Sequence, residues 1–330
     1  MKIAMTTVPF LPQCGGMETV VALLARELVK LGCEVKVVTA TSSVQNDVLP
    51  YEVIRQPGWK KLWQTYQWAD AILLQGLTLR LGWPVLIYKK PYLVTHHMIL
   101  DKRQYGGKIR RALLARSRSV SVSHAVAKSL PVPSEVIHNP YDSEIFKNDE
   151  TQPRTRDLVF VGRLCAEKGV DLLIAALKLL AEKNLRPSLT IVGDGKERHV
   201  IETQVRRFDL GSQVHFVGAV SKQPLAKILQ NNRIIVVPSR CEEGFGIVAM
   251  EGIACGCVVI GSSGGGLPEA IGPCGVTFPN GDAAALAKKI QSLLSEPDQI
   301  KAYQENAERH LANHKPETVA RQYLQLMGLN

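Results

Sequence analysis

The chain is 330 residues long, 45% hydrophobic and 21% charged, with a formal net charge of +10. That length suits two domains of ordinary size, and the composition excludes a disordered or fibrous chain. The first residues, M-K-I-A-M-T-T-V-P-F, lack the long apolar core and small-residue cleavage site of a secretory signal.

A cytoplasmic location is therefore expected, with the seven cysteines held as thiols. Cys255 and Cys257 form a C-x-C pair, but no second pair or nearby His completes a metal-binding pattern, so no metal is expected. The longest apolar region, 71–88, is interrupted by Gln75, Arg80, Gly82 and Pro84. It reads as a strand, a short helix and another strand rather than a membrane span. Charge is uneven: residues 1–150 carry +7 and residues 151–330 carry +3. Between Lys89 and Lys128 lie ten Lys or Arg against the single acid Asp101. Such a patch attracts anionic lipid, nucleic acid or an anionic substrate.

In chain order, Lys2–Thr6 reads as a strand, Pro9–Gly16 as a loop and Met17–Leu31 as a helix with one buried stripe, closed by Gly32. Glu34–Thr39 is the next strand. This β-loop-α-β unit opens a parallel, doubly wound sheet. Further strands are expected at Tyr51–Arg55, Ala71–Leu74, Tyr92–Thr95, Ser119–Val122 and Glu135–His138. The polar segment Lys147–Asp157 has the profile of a linker. The rhythm then restarts, with strands at Leu158–Gly162, Ser188–Val192, Val214–Val217, Ile234–Pro238 and, last, Val258–Gly261. Helices are expected at Val170–Glu182, Lys196–Phe208, Pro224–Asn231, Ala283–Leu294, Asp298–Ala312 and Pro316–Met327. The expectation is an α/β chain of two tandem Rossmann-like domains, 1–150 and 151–314, with the helix in 315–330 as a separate closing element. Ligands of such sheets bind beyond the carboxyl ends of strands, so the cleft between the domains is the expected site.

The most informative stretch is Ser239–Glu251, S-R-C-E-E-G-F-G-I-V-A-M-E. A strand ends, Gly244-Phe245-Gly246 turns the chain, and a helix begins at Ile247 with Glu243 before it and Glu251 inside it. Helix N-termini suit phosphate oxygens, and ionised carboxylates accept hydroxyl donors, so the stretch reads as a socket for a sugar joined to a phosphate. Arg163 and Lys168 lie on the loop after Gly162, two cations at the carboxyl end of a strand, as a diphosphate needs where no metal neutralises it. Gly15 and Gly16, followed by Glu18, stand at the first helix start and let the backbone approach a ligand, but without the spacing of a dinucleotide site. Gly264–Gly266 is read as a flexible run, and Glu269 either caps the next helix or meets a ligand. His96 and His97 end a strand of the first domain, and adjacent residues of an extended segment point to opposite sides, so one of the two is expected to face the cleft.

Together these segments resemble the GT-B-fold retaining glycosyltransferases of family 4. G-G-M-E is similar to that family's G-G-x-E loop, V-T-H-H to its histidine segment, and I-H-N-P-Y-D-S-E-I-F to the approach to its linker. G-R-L-C-A-E-K-G is similar to G-R-L-x-x-E-K-G, and the Glu243–Glu251 stretch to the E-x7-E signature, with G-G-G-L-P-E following. The resemblance implies a last helix that returns to the first domain. It also implies that Arg163 and Lys168 hold the donor diphosphate, that amides near Gly15, Gly16 and Phe245–Ile247 touch phosphate or sugar, and that Glu243 binds sugar hydroxyls. Glu251 would bind the ribose, the loop near Val220 would lie beside the base, and His97 would contact the sugar or position the acceptor.

The implied reaction transfers a sugar, with retention, from a UDP- or GDP-sugar to a saccharide or lipid-linked acceptor in cell-envelope glycan synthesis such as lipopolysaccharide or polysaccharide. No cofactor is expected: cations fixed on the diphosphate stabilise the leaving group, and no D-x-D pattern argues for a metal. With no obvious protein nucleophile, a same-face, oxocarbenium-like displacement is expected. The basic segment Lys102–Arg118, with Ile109, Leu113 and Leu114, suits an anionic membrane surface as well as it suits a solvated helix face. Trp59, Trp63 and Trp68 could serve as interfacial anchors or as core. The alternative classes are an anion- or nucleic-acid-binding protein, and a nucleotide-sugar epimerase or sugar phosphorylase of the same architecture. The patch offers chiefly Tyr92 and Tyr105 for base stacking, so no nucleic-acid partner is expected.

Overall fold

In the computed structural model, residues 1–12, 15–42, 48–88, 90–100, 107–149, 151 and 153–328 are described. They divide into two compact units, Met1–Tyr141 with His314–Asn330, and Asp142–Asn313. The first unit therefore includes the last helix of the chain, and the units part at Tyr141 and Asp142 rather than at residue 150. The polar segment read as a linker is held within the second unit: Arg154 donates to the Asn232 and Cys255 carbonyls, each at 2.7 Å.

The strands of the first unit are β1 (Lys2–Thr7), β2 (Glu34–Thr39), β3 (Glu52–Arg55), β4 (Ala71–Gln75), β5 (Tyr92–His96), β6 (Arg118–Ser121) and β7 (Ser134–Val136). They form a parallel sheet of order β3-β2-β1-β4-β5-β6-β7. The helices are α1 (Gly16–Lys30), α2 (Trp59–Trp68), α3 (Leu79–Gly82), α4 (Lys108–Arg116), α5 (His124–Ser129) and, at the far end of the chain, α14 (Pro316–Leu326). Leu24 and Leu28 of α1 share one core with Val319, Tyr323 and Leu326 of α14. Leu62 and Tyr66 of α2 pack in another core with Ile72, Leu74 and Val94.

The second unit holds β8 (Arg156–Val161), β9 (Leu189–Val192), β10 (Val214–Gly218), β11 (Asn232–Val237), β12 (Val258–Ser262) and β13 (Gly275–Phe278), in the parallel order β10-β9-β8-β11-β12-β13. Its helices are α6 (Val170–Ala181), α7 (Arg198–Arg207), α8 (Lys222–Gln230), α9 (Ile247–Ala254), α10 (Leu267–Ile271), α11 (Ala283–Ser295), α12 (Pro297–Gln304) and α13 (Ala307–Ala312). Leu173 and Leu177 of α6, Ile201 of α7 and Ile290 of α11 pack with Phe160, Ile234 and Ile260 of the strands. The neighbouring Ile235 meets α9, where a Cβ on Gly252 would strike it.

Several elements differ from expectation for local reasons. The last strand is β13, not β12: Gly-Val-Thr-Phe is short, sits at the sheet edge and buries only Phe278, so it carries no apolar run. After β4 the chain forms α3 and a 3-10 turn at Trp83–Leu86 instead of a second strand; Pro84 starts that turn, and Trp63 stacks on Trp83 and meets Tyr88. The helical region 297–312 breaks at Glu305–Asn306 into α12 and α13. Trp63 is thus packed, Trp68 lies under the Lys36 ammonium, and Trp59 is exposed. No described helix is long and apolar enough to cross a membrane.

Candidate active site

In each sheet the winding reverses once, between β1 and β4 and between β8 and β11. At such points adjacent loops leave in opposite directions and open a crevice at the strands' carboxyl ends. Gly15 and Gly16 follow β1, and Arg163, Lys168 and Glu243 follow β8 and β11, the strands that flank these two places; His96 and His97 end β5, and Val220 follows the edge strand β10.

In the second unit, the loop after β8 passes Gly162 and Arg163 into a 3-10 turn at Ala166–Lys168. Gly169 then takes a left-handed φ of +66°, and a Cβ there would fall on the Pro238 carbonyl oxygen. Only glycine lets this loop lie so close to the one leaving β11. The Arg240 amide ties the two by donating to Glu167 O at 2.8 Å. Lys168 is thereby brought to Glu243, across 75 residues of sequence, and its Nζ donates to Glu243 Oε1 at 2.5 Å. The buried Ser239 hydroxyl donates to the same oxygen at 2.6 Å. Glu243 is also fixed through its main chain: it bridges to Gly265, and the Gly266 amide donates to its carbonyl at 2.7 Å. The glycine run 264–266, read as flexible, is thus held against the signature loop, and a Cβ on Gly265 would strike Glu243 backbone. Glu243 Oε2 has no partner among the described residues, so half of the carboxylate stays open to a donor.

Arg163 is exposed, with no ion pair among the described residues. Arg240, which sequence reasoning did not single out, pairs with Asp171 at 2.5 Å. Gly244 is half-buried, Phe245 is buried and anchors the turn, and Gly246 is the N-cap of α9, where no side chain caps the amides that begin at Ile247. Glu251, on the second turn, is half-buried. Burial pushes its carboxyl up to about 7; the Lys222 ammonium opposes this and the Asp142 carboxylate adds to it. Lys222 and Asp142 are themselves paired at 3.0 Å. Val220 is half-buried between β10 and α8. Glu269 lies in the first turn of α10, where its charge suits the helix start.

In the first unit, Gly15 is the N-cap of α1, and a Cβ there would fall on the Glu18 carboxylate, which folds over the helix start. His96 and His97 end β5. Both line one cavity of about 460 Å³, together with Val8, Met17, Gln75 and Arg110. His96 is buried, with Nε2 3.4 Å from Ser119 Oγ, and His97 Nε2 is 2.7 Å from Gln75 Oε1. Burial holds the pKa of each imidazole down to about 4, so both are neutral near pH 7. Gln75 and Ser239 were missed by sequence reasoning. The available signal was a polar side chain at the carboxyl end of a buried strand run, A-I-L-L-Q and I-I-V-V-P-S. Of the basic segment, 102 and 103 lie outside the described residues; in α4, Leu113 and Leu114 are buried while Ile109, Arg111 and Arg116 are exposed.

Two doubly wound parallel units in one chain define the fold of the GT-B glycosyltransferases. Residues 142–310 match the family model of glycosyl transferases group 1, and the chain belongs to that family. A glycogen synthase of Mycobacterium tuberculosis is 36% identical over 166 residues, a stretch covering 49% of this chain and 40% of that relative. The match thus spans well under two thirds of the relative's length. Among solved structures, a sucrose-phosphate synthase from Thermosynechococcus elongatus is 26% identical and superposes with a TM-score of 0.81, covering 98% of each chain. The Anabaena protein HepE, in complex with UDP and glucose, superposes at 0.82 over 99% of each chain, with 20% identity.

Proposed function

We propose that the chain is a retaining, metal-independent glycosyltransferase that moves a sugar from a nucleoside-diphosphate sugar to a saccharide or lipid-linked acceptor. The observation that carries this is the cluster Lys168–Glu243–Ser239 at the β8/β11 reversal, with Arg163 exposed on the same loop. In the free protein Lys168 neutralises Glu243. A diphosphate offers the ammonium a denser charge, and when Lys168 turns to it, Glu243 is released to accept sugar hydroxyls while Ser239 keeps its carboxylate oriented. Arg163 supplies the second cation, and the uncapped start of α9 supplies amides for phosphate. As the bond from the anomeric carbon to the diphosphate breaks, charge grows on the leaving group against these preorganised donors. Glu251 accepts the ribose hydroxyls, and Val220 lies beside the base. In the first unit, the Glu18 carboxylate over Gly15 and Gly16 favours hydroxyl over phosphate at that loop. The donor is a UDP- or GDP-sugar; the complexes of HepE with UDP and with UDP-glucose support the uridine form.

The role suits cytoplasmic synthesis of cell-envelope glycan, lipopolysaccharide or polysaccharide. Exposed Ile109, Arg111 and Arg116 on α4 support a peripheral seat on an anionic membrane. Reversing the charge of Arg111 and Arg116 should abolish binding to vesicles rich in phosphatidylglycerol; unchanged binding removes this part of the reading.

The main test is a thermal-shift screen of UDP- and GDP-sugars, followed by transfer assays with the stabilising donor. Lys168→Ala should lower kcat by about 10²–10³-fold with the fold intact. Turnover equal to wild type would overturn the assignment. An isomerised sugar or a free sugar phosphate as product would instead identify an epimerase or a phosphorylase.

A further inference from the structure

The carboxyl ends of β1, β4 and β5 open on the cavity of about 460 Å³ in the first unit. Its walls are chiefly apolar: Val8, Pro9, Met17, Leu77, Met98 and Leu100. Val8 and Met98 are 42% and 59% exposed, so the apolar surface continues from the cavity out to solvent. Gln75 breaks this character. Its side chain is 2% exposed, its Oε1 bonds His97 Nε2, and its Nε2 has no hydrogen-bond partner. A buried amide donor left unmade is costly. The bond to Gln75 Oε1 takes up the Nε2–H of a neutral His97, which leaves a lone pair on Nδ1. The pair therefore holds, beside the cavity, an unused N–H donor and an unused acceptor, the complement of an alcohol, which accepts one hydrogen bond and donates another.

We propose that Gln75 and His97 bind a hydroxyl of the glycosyl acceptor, and that the acceptor is an amphiphile whose hydrocarbon or aromatic body lies along the apolar walls of this cavity. This rests on the glycosyltransferase reading and narrows its acceptor class. A wholly polar saccharide would leave the Leu77, Met98 and Leu100 walls against hydrated groups and would gain nothing from them. An amphiphile buries its apolar part there and satisfies the Gln75 amide at the same time.

The test is calorimetric titration of the full chain with n-octyl β-D-glucoside and with methyl β-D-glucoside, both below the critical micelle concentration. The octyl compound should bind about 100-fold more tightly, the increment of roughly three to four buried methylenes. Gln75→Leu should weaken octyl glucoside at least tenfold; because it removes the unpaired amide donor and also the acceptor of His97 Nε2–H, the melting temperature serves only to confirm that the variant is folded. A merely structural glutamine would lower the melting temperature and leave the octyl affinity unchanged. Met98→Ser, at a position 59% exposed, should cut the octyl preference several-fold and leave the methyl compound unaffected. Affinities for the two glucosides within threefold of each other would overturn the proposal, as would octyl binding that ignores both substitutions. Binding of UDP- and GDP-sugars by the wild-type chain, measured in the same buffer, keeps the two readings apart. Donor binding without an octyl preference sinks only the amphiphile; absence of any donor binding sinks the transferase reading itself.

Discussion

Glu251 allows a quantitative test in which the protein should gain stability by losing a charge-bearing side chain. Its carboxyl is held near 7 in the folded chain against an ordinary 4.5, chiefly by burial. For an acid whose folded pKa is raised, the protonated form is the one the fold favours. Its contribution is fully present below about pH 4.5 and is lost as pH rises through about 7. At 1.36 kcal/mol per unit, a difference of about 2.5 units gives roughly 3.4 kcal/mol. Partial solvent contact screens the carboxyl and trims this to about 2–3 kcal/mol. Glu251→Gln replaces the acid with a neutral isostere. At pH 4 the variant and the wild type should be equally stable; by pH 8 the variant should be about 2–3 kcal/mol more stable. For a unit of this size that is a melting-temperature gain of roughly 4–12 °C. The assay is thermal unfolding of both proteins from pH 4 to 8.5 at constant ionic strength. A gap that stays constant with pH, or shrinks as pH rises, would refute the reasoning. The same substitution should weaken donor binding, because ribose hydroxyls donate to a carboxylate and favour its ionised form. A stabilised protein with a poorer site is the expected trade.

Gly169→Ala forces a side chain into a left-handed position and onto the Pro238 carbonyl, and should cost about 3 kcal/mol in urea unfolding; an unchanged midpoint would contradict the loop packing. His96 and His97, with pKa lowered to about 4, should stay neutral in NMR titrations until well below pH 6. Because a depressed histidine favours the neutral form, stability should fall as pH drops from about 6.5 towards 4, and inflections near 6.5 would count against their burial. Ser239→Ala removes one donor to Glu243 Oε1 and should destabilise by about 1 kcal/mol, raising KM for the donor sugar more than it changes affinity for the bare nucleotide.

The parallel strands were legible because buried strands of such sheets are apolar on both faces, so runs such as Ala-Ile-Leu-Leu and Ile-Ile-Val-Val stand out. The edge strand β13 buries little and gave no such run. Helix α2 was hidden for a related reason: it buries only Leu62, Thr65 and Tyr66, a stripe too thin to stand out among its lysines, glutamines and tryptophans. At the site, residue types and their strand-end positions were readable, but partnerships were not. Lys168 and Glu243 meet only because β8 and β11 are neighbours, and Gln75 reaches His97 only because β4 lies beside β5. Such pairings are set by strand order, a long-range property that local patterning does not carry.

Helix α14 supplies Val319, Tyr323 and Leu326 to the core of the first unit, and Tyr323 bonds Thr95 across 228 residues. This unit is therefore interrupted in sequence by the whole of the second. During synthesis, residues 142–313 emerge complete and can fold while the first 141 still lack part of their interior. The unit made first is thus finished last, after the ribosome has released the final turn of α14. A fragment cut at Tyr141 would leave the apolar faces of α1 and β5 uncovered and should aggregate, whereas adding residues 314–328 as a separate peptide should restore its solubility.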